Sequence, residues 1–250
     1  HDPQLTRRLR TLAHIVHLDG VDPAQRAASA LQARMTPHVR FDAAHYATEI
    51  LLLYEQHALL PEKHSEAFVS HVLAQWASLV DAPETDRAPT IARMERLRQF
   101  LAIFAEFRDP ARMHKASDMQ THFLALCAQP EITVQRGALS CLLTWKPPAL
   151  VHMEDKLRNL LDTAKFRDTL SQLDLSATSE QFSAVMRPQV MPVLIRLLYG
   201  LMISRRGVRT SGAGQHARRT AILSALYESR VEELQLLVDL MLGAFVDQVV

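Results

Sequence analysis

Ser117-Asp-Met-Gln-Thr-His-Phe-Leu-Ala-Leu-Cys-Ala128, then Gln129-Pro130, then Glu131-Ile-Thr-Val-Gln-Arg-Gly-Ala-Leu-Ser-Cys-Leu-Leu-Thr-Trp145: two apolar-periodic segments of helix length meet at one proline. Proline has no N–H to donate and its ring clashes with the carbonyl four residues back, so an interior proline breaks or kinks a helix. A connection this short folds the second helix back along the first. One amphipathic pair cannot bury its stripe alone, so neighbouring pairs must stack to make a continuous core. The stretch therefore predicts an all-α chain, a HEAT-like α-solenoid of antiparallel helix pairs.

The same signature recurs in both directions. Leu5, Leu9, Leu12 and Val16 form one stripe, and Ile91, Met94, Leu97, Leu101 and Phe104 another. Val190, Leu194, Leu197 and Leu201 repeat it, as do Val231, Leu234, Val238, Met241 and Phe245. Steps of three and four place each set on one side of a 3.6-residue helix. Asp22-Pro23-Ala24-Gln25 reads as an N-cap with a first-turn proline, and Pro61, Pro83, Pro89, Pro110 and Pro147-Pro148 separate further segments. The predicted helices are 4–18, 23–35, 42–58, 62–80, 89–108, 117–128, 131–145, 149–161, 164–172, 188–204, 215–227 and 231–246, with interrupting loops at 173–187 and 205–214. No segment alternates with period two, and no strand is expected. A strict repeat length is absent. Residues 1–250, which open on His1-Asp2-Pro3 rather than Met, are expected to be one helical-repeat segment of a longer chain.

Composition agrees. Hydrophobic residues make up 48% and charged residues 22%, enough for a core and too little charge excess for disorder. Seven glycines and 6% aromatics argue against a many-stranded fold. No stretch approaches the roughly 18 apolar residues of a membrane helix, so no membrane partner is expected. Cys127 and Cys141 read as two small core residues of a reducing compartment.

The net charge of +1 hides an asymmetry. Residues 181–227 contain no Asp or Glu but seven arginines: Arg187, Arg196, Arg205, Arg206, Arg209, Arg218 and Arg219. Guanidinium groups bond phosphate bidentately, so an acid-free +7 window points to an anionic partner. Within it, Arg205, Arg206, Arg209, Arg218 and Arg219 are the candidate RNA- or partner-binding residues, expected to form one basic surface. Their place at the entry to a helix adds the field of its backbone N–H groups. The segment carries no interleaved aromatics to stack bases, which favours backbone contact over base readout. A solvated basic face or an acidic protein partner is the competing reading.

Catalytic chemistry is not legible. Twelve histidines include His57, His64 and His71 at seven-residue spacing, yet Pro61 interrupts them and no Cys or carboxylate completes a ligand set, so no metal and no cofactor is expected. Ser140 lies in a helical pattern and lacks the second glycine of a nucleophile elbow. Glu232 and Glu233 point to different sides of a helix and do not suggest an acid–base pair. Gly207–Gly214 lacks the Gly-Lys-Ser/Thr of a phosphate loop and reads as a flexible connection. No catalytic residue and no small-molecule substrate is expected.

Several blocks resemble one family in order. Residues 135–150 are similar to a helix and turn of the very large HEAT-repeat protein of the small-subunit processome, a family also called "down-regulated in metastasis". Residues 156–170 resemble its next helical stretch. The fullest match runs through Arg187-Pro-Gln-Val-Met-Pro-Val-Leu-Ile-Arg-Leu-Leu-Tyr-Gly-Leu-Met-Ile-Ser-Arg-Arg206 and on to Gly214–Leu223. At Thr210–Gly214 small residues replace the basic ones of the family. The resemblance implies a non-catalytic nucleolar scaffold for small-subunit rRNA maturation. Its implied partners are pre-rRNA, other processome proteins and snoRNP components. The rival is a karyopherin-like transport solenoid binding protein cargo.

Overall fold

The computed structural model describes residues 43–80, 87–204 and 212–246. The chain separates into two compact units, His1–Ala47 and Thr48–Val250, and the described helices belong almost wholly to the second. They are α1 (Ala43–Gln56), α2 (Leu59–Lys63), α3 (Ser65–Val80), α4 (Arg87–Ala105), a 3₁₀ turn (Pro110–Arg112), α5 (Ala116–Leu126), α6 (Ile132–Thr144), α7 (Pro148–Leu160), α8 (Phe166–Ser171), α9 (Arg187–Ile203), α10 (Gly212–Leu226) and α11 (Val231–Val246). No strand occurs among the described residues, and the all-α expectation holds. The expected helices 4–18 and 23–35, with the Asp22-Pro23 cap, lie outside the described residues.

The stretch 117–145 folds as its punctuation dictates. Where α5 ends, Gln135 Nε2 from the first turn of α6 donates to the Cys127 carbonyl at 2.8 Å. Further along, the rings of Phe123 and Trp145 meet at 6.0 Å, so the two helices run antiparallel. α6 ends at Trp145, and Lys146 takes the left-handed conformation (φ 51°) that usually falls to glycine just past a helix end. Pro148 then opens α7 at its first position, where its missing N–H is no loss. α7 runs back along α6: Arg158 Nη1 reaches Ser140 Oγ at 3.3 Å, and Arg136 Nη2 donates to the Leu161 carbonyl at 2.7 Å.

Stacking between pairs brings alternate helices together. The Cys141 thiol of α6 donates to the Leu101 carbonyl of α4 at 3.2 Å. A Cβ on Gly137 would stand 3.0 Å from Leu101 Cβ, so this close approach explains a mid-helix glycine that otherwise costs about 1 kcal/mol. Phe104 of α4 ties three helices: its ring lies 5.2 Å from Phe68 of α3 and 5.3 Å from Phe123 of α5. Burying each such ring contributes roughly 1.5–3 kcal/mol.

α9 is the central helix. The expected stripe Val190, Leu194, Leu197 and Leu201 is buried, and so are Met191, Val193, Ile195, Leu198, Tyr199 and Met202 around the remaining circumference. A helix apolar on all sides belongs inside, and α9 touches α5, α6, α7, α10 and α11. Gln135 Nε2 makes a second bond, 3.0 Å to the Leu197 carbonyl, and so links α5, α6 and α9 through one buried amide.

Three sequence expectations need correction. The predicted helix 62–80 divides into α2 and α3, with Pro61 inside α2, because proline in a first turn forfeits no hydrogen bond. α10 begins at Gly212, so Gly212–Gly214 are helical rather than part of a loop. On α11 the period is right and the face only partly so: Val231, Val238 and Met241 are exposed, Leu234 packs half-buried against the core, Leu237 is buried, and the Phe245 side chain lies outside those described. The cause is Glu233, whose bonds to Arg187 turn the 233–237 side toward α9.

The connection 172–186 contains no helix among its residues and takes its order from the turn between α10 and α11. Ala177 N–H donates to the Glu228 carbonyl at 2.7 Å, and Ser229 Oγ donates to the Leu175 carbonyl at 3.2 Å.

Candidate nucleic-acid interface

Of the five arginines predicted to form a basic surface, Arg205, Arg206 and Arg209 lie outside the described residues. Arg218 and Arg219 sit on α10. The early start of that helix changes their setting. At 1.5 Å per residue they stand about 9–11 Å beyond its first residue, past the turn in which backbone N–H groups exert their field. Their contribution is therefore that of their own charges.

The two neighbours do different things. Arg219 Nε donates to the Met202 carbonyl at 3.0 Å and so satisfies one of the open carbonyls at the end of α9. Arg218 is half-buried, with its guanidinium carbon 5.5 Å from the centroid of the Phe166 ring. Phe166 opens α8 and is itself buried, so it is a fixed platform. The aromatic that residues 204–219 lack is thus supplied by another helix, beneath an arginine rather than beneath a base. Burial first, and then the positive charge of Arg167, hold the Arg218 pKa below the usual arginine range.

Two other arginines of the acid-free window are engaged within the protein. Arg187 is 1% exposed, and its Nε and Nη2 grip the two carboxylate oxygens of Glu233 at 2.6 and 2.8 Å. The same guanidinium donates to the Ser176 carbonyl at 2.7 Å and the Leu175 carbonyl at 2.9 Å. The Glu233 hydrogen bonds raise the Arg187 pKa. Arg196 turns back along its own helix to the Pro192 carbonyl at 2.9 Å. The +7 of the sequence window is thus reduced at the surface by structural use.

Among the described residues no group of three His, Cys, Asp or Glu side chains could hold a metal ion. Ser140 lies within α6, and its Oγ meets Arg158. Cys127 and Cys141 are fully buried. Burial pushes the Cys127 thiol up to about 12, and it pushes Cys141 up as well. Both ordinarily ionise near 9.0. The stabilising contribution of keeping them neutral is complete below that pH. Between 9 and 12 the unfolded chain loses the protons first, so stability falls as pH rises through this window. Thiol labelling of the native chain at pH 8 is expected to be negligible, rising in urea in step with the loss of helical circular dichroism. Prompt labelling without denaturant would contradict the buried placement.

A family model described as "U3 small nucleolar RNA-associated protein 20, N-terminal" matches residues 92–250. The chain belongs to that family. Two curated relatives carry the name U3 small nucleolar RNA-associated protein 20. The one from Schizosaccharomyces pombe is 35% identical over 150 residues, which cover 58% of this chain and 6% of the relative. The one from Saccharomyces cerevisiae is 28% identical over 127 residues, 51% of this chain and 5% of the relative. The chain therefore spans only a small part of the length of these relatives. The stretch matched to the family takes in nearly all of α4 and every helix from α5 to α11, including the Arg187–Glu233 pair and the Phe166–Arg218 contact.

Proposed function

We propose that this chain is a non-catalytic scaffold segment of the small-subunit processome, acting in pre-rRNA processing and ribosome assembly in the nucleolus. The family match over residues 92–250 carries this reading, because it covers the stacked helical array that supplies the binding surface. Stacked helices offer an extended surface, and such a surface holds partners in register without bond chemistry. Pre-rRNA, snoRNP components and other processome proteins are the partners that fit the family and the arginine-rich window. The absence of an enzymatic step is part of the proposal. It is supported by where the perturbed thiols lie: Cys127 and Cys141 are buried within the packing.

The test is recovery of the tagged chain from nuclear extract, with the bound RNA sequenced and the bound proteins identified. Enrichment of small-subunit pre-rRNA and U3 small nucleolar RNA is expected. Recovery of transport cargo and nuclear import factors without pre-rRNA would replace the scaffold reading with the karyopherin-like one.

A further inference from the structure

The acid-free window ends before α11 and does not include α8, yet α8 brings a charge to it. Lys165, Phe166 and Arg167 lie at the start of this helix, which packs against α10. Phe166 points inward and is buried, and Arg218 lies over its ring. Arg167, the next residue, is exposed. Among the described residues neither Arg167 nor Arg218 has a carboxylate within ion-pair reach. Of the acidic groups of this corner, Asp162 Oδ1 accepts the Ala164 N–H at 2.9 Å, and Asp168 stands exposed one residue beyond Arg167. Lys165 reaches back to Asn159 Oδ1 at 3.3 Å.

Two guanidiniums held near each other without an acid repel, and a compact anion between them relieves that repulsion. Arg218 lies over the Phe166 ring, and its N–H groups have no protein acceptor among the described residues. A planar fork with open edges is the donor geometry that a phosphate accepts. We propose that Arg167 and Arg218 together form a two-guanidinium seat for a phosphate of an RNA backbone, on the corner where α8 meets α10. The inference rests on the RNA-binding reading above and adds to it a residue from outside the arginine-rich window. RNA is favoured over a phosphopeptide because a chain of phosphates also engages the flanking Lys165, whereas a single phosphate would use one seat.

The test uses the whole 250-residue chain and a uridine-rich single-stranded RNA, with affinity measured from 50 to 200 mM salt. The variants are Arg167→Glu, Arg167→Lys and Arg167→Gln/Arg218→Gln. Arg167 is exposed, so Arg167→Glu leaves the helical melt unchanged and separates binding from folding. The seat holds one phosphate, and each lost single-strand phosphate contact lowers the salt slope by about 0.7, so the double variant loses about 0.7. Its fall in affinity across this fourfold range of salt is then about 2.6-fold smaller than that of the parent chain. Arg167→Glu is expected to bind more weakly than either parent or Arg167→Lys, with Lys retaining most of the affinity. If the parent binds RNA and Arg167→Glu matches it in affinity and slope, the seat is refuted while the RNA reading stands. If the parent binds no RNA at 50 mM salt, both fail. Binding of an isolated phosphoserine peptide as tightly as RNA would also overturn the proposal.

Discussion

Replacing Glu233 with alanine is expected to destabilise the chain by about 3–5 kcal/mol, because it strands a buried guanidinium without its counter-charge. Arg187 has almost no access to water, and Glu233 keeps only 11% of its side chain exposed. The carboxylate also accepts the Arg230 N–H at 3.1 Å, so its loss leaves that N–H at the entry to α11 without its acceptor. For a unit of this size such a loss lowers the melting midpoint by roughly 10 °C or more. Thermal melts followed by circular dichroism, with urea titrations for the free energy, measure it. The double replacement Arg187→Met/Glu233→Leu is expected to recover part of the loss and not all of it. An apolar pair removes the stranded charge, but the Leu175 carbonyl keeps only the Ser229 hydroxyl and the Ser176 carbonyl only the Ser179 N–H. Each hydrogen bond lost from a charged donor costs about 1.5–3 kcal/mol. A Glu233→Ala loss below about 1 kcal/mol would mean that the guanidinium finds water on its own, contrary to its burial.

Gly200→Ala is expected to be of similar severity, about 3 kcal/mol or more, since overpacking a filled core costs typically 1–3 kcal/mol and here also breaks hydrogen bonds. A Cβ at this position would stand 2.5 Å from the Gln129 carbonyl oxygen and 3.1 Å from the Ala128 carbonyl carbon, with Gln135 Nε2 closer still. Two of these are backbone atoms of the turn between α5 and α6, so a rotamer change cannot clear them. The amide that must also move bridges Cys127 and Leu197. Combining Gly200→Ala with Gln135→Ala separates the causes: the second change relieves the amide contact and leaves the backbone clash. The double variant is therefore expected to be no more stable than Gln135→Ala alone. Urea midpoints of the three variants read the comparison, and a Gly200→Ala midpoint equal to that of the parent would show that α9 can shift away from the turn.

What was readable in the linear chain was whatever repeats within a helix. Proline spacing and steps of three and four residues sufficed for an all-α chain and for most helix positions, since both depend on contacts within about seven residues. The arginine-rich, acid-free window was readable for the same reason, as a property of composition. The family resemblance likewise rested on ordered blocks of sequence. On α11, however, apolar residues occupy several faces, and periodicity alone selected Val231, Val238 and Met241, which are exposed.

Which face is buried, and which arginine is spent on structure, belonged to the tertiary arrangement. Arg187 and Glu233 are 46 residues apart, and Gln135 and Leu197 are 62 apart. No local pattern marks such partners. Gly200 carries no sign of its role until the α5–α6 turn is placed against it. Phe166 and Arg167 likewise join Arg218 only because α8 packs on α10. Helix formation is decided by propensity and spacing along the chain, whereas the pairing of charges and the closeness of backbones depend on how the helices stack, and that is settled by packing the whole core at once.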